Sequence, residues 1–350
     1  MLPYFHQYKK SNIDDLVRLR KGESKLGELI GVPGEQDLRS FLEKTSATFI
    51  VFGIAEDIGV LANYGHPGTD TAWNSFLNSF LNVQANEFTK PVTIAVIGHF
   101  SFDELKHEIE RKPITNEEKR VAYGNLVVTV DNAVAELIRL IVTQGKVPVV
   151  VGGGHNNAYP IIKGTATALA MTDQAYIKGI NCINLDAHLD YRMPEGRHSG
   201  NGFRYAKQEN LLQRYFALSI HENYIQAGIL QELKRTEDIQ YMTFEDIFIR
   251  KRKPWFEALE EAVGFLGDSH YTGVELDLDS VENFPASAVS PCGVTCREAL
   301  QYVDHMATRC KVAYFHVCEG IATQDHGHVG KSISYIVCQF VRAYGLRVSH

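Results

Sequence analysis

The feature that most constrains this 350-residue chain is the alternation, from about residue 46 onward, of apolar β-branched runs with helical stretches. Strands are expected at Ala47–Ala55, Val92–Phe100, Val147–Gly152, Ile180–Asp186, Tyr215–Ile220, Ile239–Phe244, Tyr271–Asp279 and Lys311–Val317. Most are continuous apolar runs, the pattern of strands covered on both faces. Helical patterns fill Asn116–Gln144, Tyr224–Arg235, Trp255–Phe265, Thr295–Thr308 and Ser332–Tyr344. A β-α-β order of this kind predicts an α/β fold, a three-layer α/β/α sandwich with a mainly parallel sheet of about eight strands. The first 45 residues are polar and mixed, with a helix expected around Asn12–Arg20, and read as an N-terminal extension to a domain over residues 46–350. No solenoid-period repeat or low-complexity linker divides that domain.

Composition narrows the function classes. The net charge is −7, and Lys and Arg are scattered apart from the run Arg250-Lys251-Arg252-Lys253, so a nucleic-acid partner is not expected. No stretch approaches the length of a membrane span, and the N-terminus has neither a signal-peptide core nor a transit pattern. Six cysteines form no CxxC pair and lie mostly in apolar runs, as reduced thiols do, so a cytoplasmic protein with a small-molecule partner is expected.

Three segments share one design: an apolar strand runs into metal-capable side chains at its carboxyl end, where parallel α/β sheets bind ligands. The first, Val149 to Asn157, places three glycines before His155. It lacks the lysine of a phosphate-binding loop and the GxGxxG spacing of a dinucleotide site. The second, Ile183 to Asp190, carries Asp186, His188 and Asp190 at intervals of two, which puts all three on one face. Burying two carboxylates together is costly without a neutralising cation. The third, Val274 to Ser280, repeats the pattern with Asp277 and Asp279. Taken together, the six side chains exceed one ordinary site and suit two metals. Four carboxylates balance two divalent cations, and a bridging hydroxide would leave the centre about one unit negative, which a cationic amidinium substrate would restore to neutrality. Oxygen-rich ligation without thiolate favours manganese over zinc.

In this order, GGGH, DAHLD and DLD resemble the three metal motifs of the arginase (ureohydrolase) family: arginases, agmatinases and formimidoylglutamases. The likeness begins near Thr48 and includes Gly53 to Val60 and Gly65-His66-Pro67-Gly68. It implies the arginase-like fold and two manganese ions per chain. One would be held by His155, Asp186, Asp190 and Asp277, the other by Asp186, His188, Asp277 and Asp279. It also implies a metal-bridging hydroxide that attacks an amidine carbon, Asp190 assisting proton transfer, Glu319 pairing with the amidinium, and a trimeric or hexameric homo-oligomer.

The loop after the second motif bears on the substrate. Arg192 and Phe203 stand where arginases carry asparagine and a proton-shuttling histidine, and both replacements resemble formimidoylglutamases. N-formimidoyl-L-glutamate carries two carboxylates, for which Arg192 and Arg204 offer bidentate partners. Ser199 and Asn201 complete the expected substrate contacts, and His198 is a candidate replacement for the shuttle. His66 could line the pocket, whereas His305 and His316 read as structural. The chain departs from the family at Glu275, Asn156 and Glu282. Hydrolysis of formimidoylglutamate to glutamate and formamide is therefore the leading expectation. Arginase, agmatinase or another guanidino-acid hydrolase releasing urea is the alternative within the class; a single-zinc deacetylase or a non-catalytic arginase-like binding protein lies outside it.

Overall fold

The computed structural model describes residues 2–173, 179–267, 269–322 and 327–347. Among these, nine strands form one sheet: β1 (Phe5–Gln7), β2 (Phe49–Ala55), β3 (Ile94–Ser101), β4 (Val147–Val151), β5 (Ile180–Leu185), β6 (Leu212–Ile220), β7 (Ile239–Thr243), β8 (Tyr271–Asp277) and β9 (Lys311–Cys318). Their order is β1-β3-β2-β4-β9-β8-β5-β6-β7. All pairings are parallel except that of β1 with β3. Helices cover both faces over two apolar clusters, one around Val149, Val274 and Phe315, the other around Ile50, Val150 and Tyr215. The expected α/β/α sandwich is present, with each of the eight expected strands in it.

The long helix Asn116–Thr143 begins where Thr115 and Glu118 cap each other, the Thr115 hydroxyl accepting the Glu118 amide and the Glu118 carboxylate accepting the Thr115 amide. The same reciprocal pair, Thr295 and Glu298, starts the helix Cys296–Arg309. Two other helices differ from expectation. Asn12–Arg20 shortens to Lys10–Asp14, and Tyr224–Arg235 to Ala227–Leu233, because Glu222–Tyr224 tightens into a 3-10 turn beside the site.

The first 45 residues add the antiparallel edge strand β1, with Phe5 opposite Phe100 and Gln7 opposite Gly98. They also bury Ile13 and Leu26 completely. The Tyr8 hydroxyl accepts a hydrogen bond from Trp73 Nε1 at 2.9 Å, tying this segment to the helix Ala72–Phe80.

What positions the site is the middle of the sheet. The chain leaves β4, crosses through the helix Ala158–Thr172 to β5, and later returns to insert β8 and β9 between them. Four adjacent strands, β4, β9, β8 and β5, thereby point their carboxyl ends at one place.

Candidate metal centre

A cavity of about 310 Å³ opens at the carboxyl ends of β5, β8 and β9, and it is lined by His188, Asp190, Arg192, Asp277, Asp279 and Glu319 among others. The Gly-rich turn after β4 delivers His155 beneath it. Gly152 and Gly153 adopt φ values of 90° and 76°, and a Cβ on Gly153 would stand 2.6 Å from Asn157 Nδ2, so side chains are excluded where the turn reverses. Glu56, just past β2, locks that turn: its carboxylate accepts the Gly154 amide at 3.0 Å and Asn157 Nδ2 at 2.6 Å. These bonds account for Asn157, and Asn156 Nδ2 also donates to Glu56 at 3.3 Å. Asp190 and Glu319 hold φ values of 45° and 65°. The two carboxylates that flank the cavity thus sit in backbone conformations that residues other than glycine, asparagine and aspartate seldom adopt, and such strain concentrates at functional sites.

The buried His155 Nδ1 lies 2.9 Å from Asp190, 3.0 Å from Asp277 and 3.2 Å from Asp186. His188 Nδ1 lies 3.0 Å from Asp279 and 3.5 Å from Asp186. Three groups of ligand atoms gather within 4.8 Å among the described residues: His155, His316 and Cys318 behind the cavity, and, facing it, His155, Asp186, Asp190 and Asp277, and then Asp186, His188 and Asp279. Asp186 belongs to both of the cavity-facing groups. Asp277 falls only in the one with Asp190, and its Oδ1 accepts the Asp279 amide at 2.8 Å. Both ring nitrogens of His155, and Asp279 Oδ1, are buried without a hydrogen bond among the described residues. One imidazole nitrogen facing three carboxylates cannot satisfy them all, which is the arrangement expected around a cation.

The electrostatics agree. Burial, reinforced by neighbouring acids, pushes Asp277 well above the usual carboxylate range and Asp190 up to about 6. Burial raises Glu319 to about 8, against the opposing bonds from the Ser287 hydroxyl and the His155 amide. For His155, burial works toward neutrality, yet Cys318 and then the close carboxylates of Asp186, Asp190 and Asp277 carry the ring the other way, well above its ordinary value. Without a metal, the cluster therefore holds its charge together with protons.

A family model described as the arginase family matches residues 47–343. The chain belongs to the arginase family. A formimidoylglutamase of Streptococcus pyogenes serotype M3 is 29% identical over 197 residues, which span 54% of this chain and 58% of that relative. Among solved structures, formiminoglutamase of Trypanosoma cruzi with Mn2+ superposes with a TM-score of 0.70 at 19% identity, covering 93% of this chain and 99% of the other. Formimidoylglutamase of Bacillus subtilis gives a TM-score of 0.71 at 16% identity over 94% of each chain.

In this arginase-family chain the expected substrate loop divides. Arg192 and Ser199 line the cavity, with Arg192 donating to Glu195 at 2.8 Å and Asn63 Nδ2 donating to Ser199 Oγ at 3.1 Å. Arg204 does not line it: the guanidinium stacks 3.8 Å from the Tyr191 ring centre and pairs with Glu232 at 2.5 Å. Phe203 is wholly buried, stacked on Tyr215 and edge-on to His155, so it backs the His155 ring rather than touching the cavity. Asn201 is buried as well, bonded to Arg197 at 2.8 Å and to the Gly196 carbonyl at 2.7 Å. His198 points its Nδ1 at the Gly200 amide and its Nε2 toward Glu195, 3.5 Å away; burial and then Arg192 lower its pKa to about 4. It does not line the cavity, whereas Asp190 does. His66 is exposed and outside the lining, and His305 pairs with Glu260 at 2.9 Å.

Among the lining residues that the sequence does not single out are Asn63, Tyr224, Gln226 and Ser287. Tyr224 stacks on His188 with ring centres 5.0 Å apart and on His221 at 5.3 Å. No motif marks them, because each comes from a turn whose shape depends on the fold. Among the described residues, no helix is long and apolar enough to cross a membrane.

Proposed function

We propose that this chain is a binuclear manganese hydrolase of linear amidines that cleaves N-formimidoyl-L-glutamate to L-glutamate and formamide. The observation that carries the reading is one cavity with the six-residue cluster at its floor and Arg192 on its wall. The donor set fits the metals: the buried ring nitrogens of His155 lack hydrogen bonds, four carboxylates converge, and the oxygen-rich chemistry suits manganese. His155, Asp186, Asp190 and Asp277 would hold one ion, and Asp186, His188, Asp277 and Asp279 the other. The T. cruzi structure with Mn2+ supports the choice of metal. We assign the activity to residues 46–350, with the first 45 as an extension, in a cytoplasmic homo-oligomer of three or six chains; six free thiols suit a reducing compartment.

When bound, the ions would supply Lewis acidity and lower the pKa of water toward neutrality. The side chains supply the rest. Glu319, anchored by the His155 amide at 2.6 Å and by the Ser287 hydroxyl, receives the amidinium, whose positive charge draws the carboxylate into its ionised form. Asp190 takes a proton from the attacking water as its oxygen adds to the amidine carbon. The bond from that carbon to the glutamate nitrogen then breaks, the electron pair leaves with nitrogen, and Asp190 returns the proton to the amine. Arg192 binds a substrate carboxylate, and Ser199 and Asn63 offer hydrogen-bonding groups beside it.

One observation favours a urea-releasing hydrolase instead: Arg192 already pairs with Glu195, which weakens the case for an anionic substrate. Steady-state assays of manganese-loaded protein on N-formimidoyl-L-glutamate, L-arginine, agmatine and guanidinobutyrate separate the readings. Formamide from the first alone supports the proposal. Urea from any of the others replaces it, and two bound ions with no turnover would indicate a non-catalytic binding protein.

A further inference from the structure

Behind His155, on the side away from the metal cluster, lies a buried polar group that the proposed reaction does not use. Glu275 is wholly buried in the middle of the sheet, as are His316 and Tyr314. One Glu275 oxygen accepts from the Tyr314 hydroxyl at 2.7 Å, and the other faces His316 Nδ1 at 2.6 Å. That second oxygen also lies 3.6 Å from His155 Nε2.

The backbone explains how these groups meet. Glu275 precedes Asp277 by two residues on β8, so both project from the same strand face, one to the floor of the cavity and one to the back of the histidine. The register of β8 against β9 sets Glu275 directly opposite His316. A buried carboxylate is costly in a sheet core, and here its hydrogen-bond partners both come from the neighbouring strand, while the His155 ring faces it. A histidine that gives one nitrogen to a metal needs its other N–H directed, or the ring is free to turn and to take the wrong tautomer.

We propose that Glu275, braced by His316 and Tyr314, is the positioning carboxylate of His155. It draws the proton to Nε2, leaves the Nδ1 lone pair facing Asp186, Asp190 and Asp277, and thereby sets the affinity of one metal site and not the other. The proposal rests on the binuclear reading given above. Glu275 touches no substrate, and its effect passes through His155.

The test is manganese titration of Glu275→Gln and wild-type protein by calorimetry, with electron paramagnetic resonance during loading and the melting temperature of the metal-free proteins. Wild type is expected to bind two ions and to show a spin-coupled spectrum. E275Q is expected to bind one ion as before and the other about 10- to 100-fold more weakly, so that an uncoupled six-line signal appears at sub-saturating metal. Equal affinity at both sites, with only a lower melting temperature, would make Glu275 a structural residue and overturn the inference. A wild-type protein that does not bind two ions would overturn the binuclear reading itself, a distinct outcome. Tyr314→Phe, which keeps the carboxylate and removes one brace, serves if E275Q does not fold: the same site should weaken by a smaller factor, and unchanged affinity in it would also reject the proposal.

Discussion

The floor and the wall of the cavity are built by different means. The floor is made of side chains at or just past strand ends, and its histidines and carboxylates are fixed by sheet register: Asp277 ends β8, Asp186 follows β5, and His155 follows the glycine turn after β4. The wall is made of loop residues. Arg192 is 42% exposed at its side chain and is engaged with Glu195 rather than with the floor. On the proposed function, the contrast implies that bond-breaking capacity is set by the fold, whereas substrate choice rests on a few loop groups.

Replacing a floor residue should therefore have the largest effect. Asp186 contributes to both cavity-facing ligand groups. Asp186→Ala should release both ions and lower kcat/KM by on the order of 10³-fold or more, since metal stabilisation of the transition state amounts to several kcal/mol. Metal content by elemental analysis beside steady-state rates checks this, and retention of two ions with normal turnover would remove Asp186 from the centre.

Next in size is a change in the loop that ought to leave catalysis alone. Arg197 and Asp131 form a pair with both side chains 5% exposed, and Arg197 also donates to the Asn156 carbonyl at 2.9 Å. Arg197→Ala should destabilise the fold by about 3–5 kcal/mol, because it leaves a buried carboxylate without its partner. Chemical denaturation measures the loss. KM of the folded fraction should not move, and a large KM change at unaltered stability would transfer Arg197 from scaffold to wall.

Arg192→Ala tests the wall itself. Loss of a charge-assisted bond of about 1.5–3 kcal/mol should raise KM for N-formimidoyl-L-glutamate roughly 10- to 100-fold and leave that for agmatine nearly unchanged. Equal effects on both substrates would separate Arg192 from carboxylate recognition.

The floor should also announce itself through protons. In the metal-free protein, burial raises Asp190 to about 6 and, with neighbouring acids, Asp277 well above the usual carboxylate range, and His155 holds its proton well above its ordinary pKa. Ligands bind metal in their deprotonated forms, so loading must expel the protons these groups retain near neutral pH. Affinity should thus rise as pH climbs from about 6 to 8, by about tenfold per unit for each proton released. Calorimetry in buffers of different ionisation heat counts the protons, and a count of zero would contradict the clustering.

How legible each region was follows from the same division. Continuous apolar strands ending in Asp-x-His-x-Asp and Asp-x-Asp announce themselves because period two and strand ends are local properties. Pairing partners are not local. Nothing in the sequence shows that Arg204 meets Glu232, that Tyr224 stacks on His188, or that Glu275 lies opposite His316, since each depends on segments brought together by topology. β1 was missed for a related reason: three residues at a sheet edge carry too little pattern to be distinguished from a polar extension.

Phe203 is the smallest and sharpest test of where floor ends and wall begins. Its position in the loop suggested substrate contact, yet its ring is fully buried, 4.4 Å from the Tyr215 ring centre and 5.3 Å from that of His155. A group so placed acts by packing, and packing tolerates a swap between large apolar side chains at a cost below about 1.5 kcal/mol. Phe203→Leu should lower the melting temperature slightly, leave KM for every substrate within about twofold, and, if the ring steadies His155, loosen one metal site modestly. A rise in KM confined to N-formimidoyl-L-glutamate, with stability and metal affinity unchanged, would instead mean that the loop opens in solution and that Phe203 belongs to the wall.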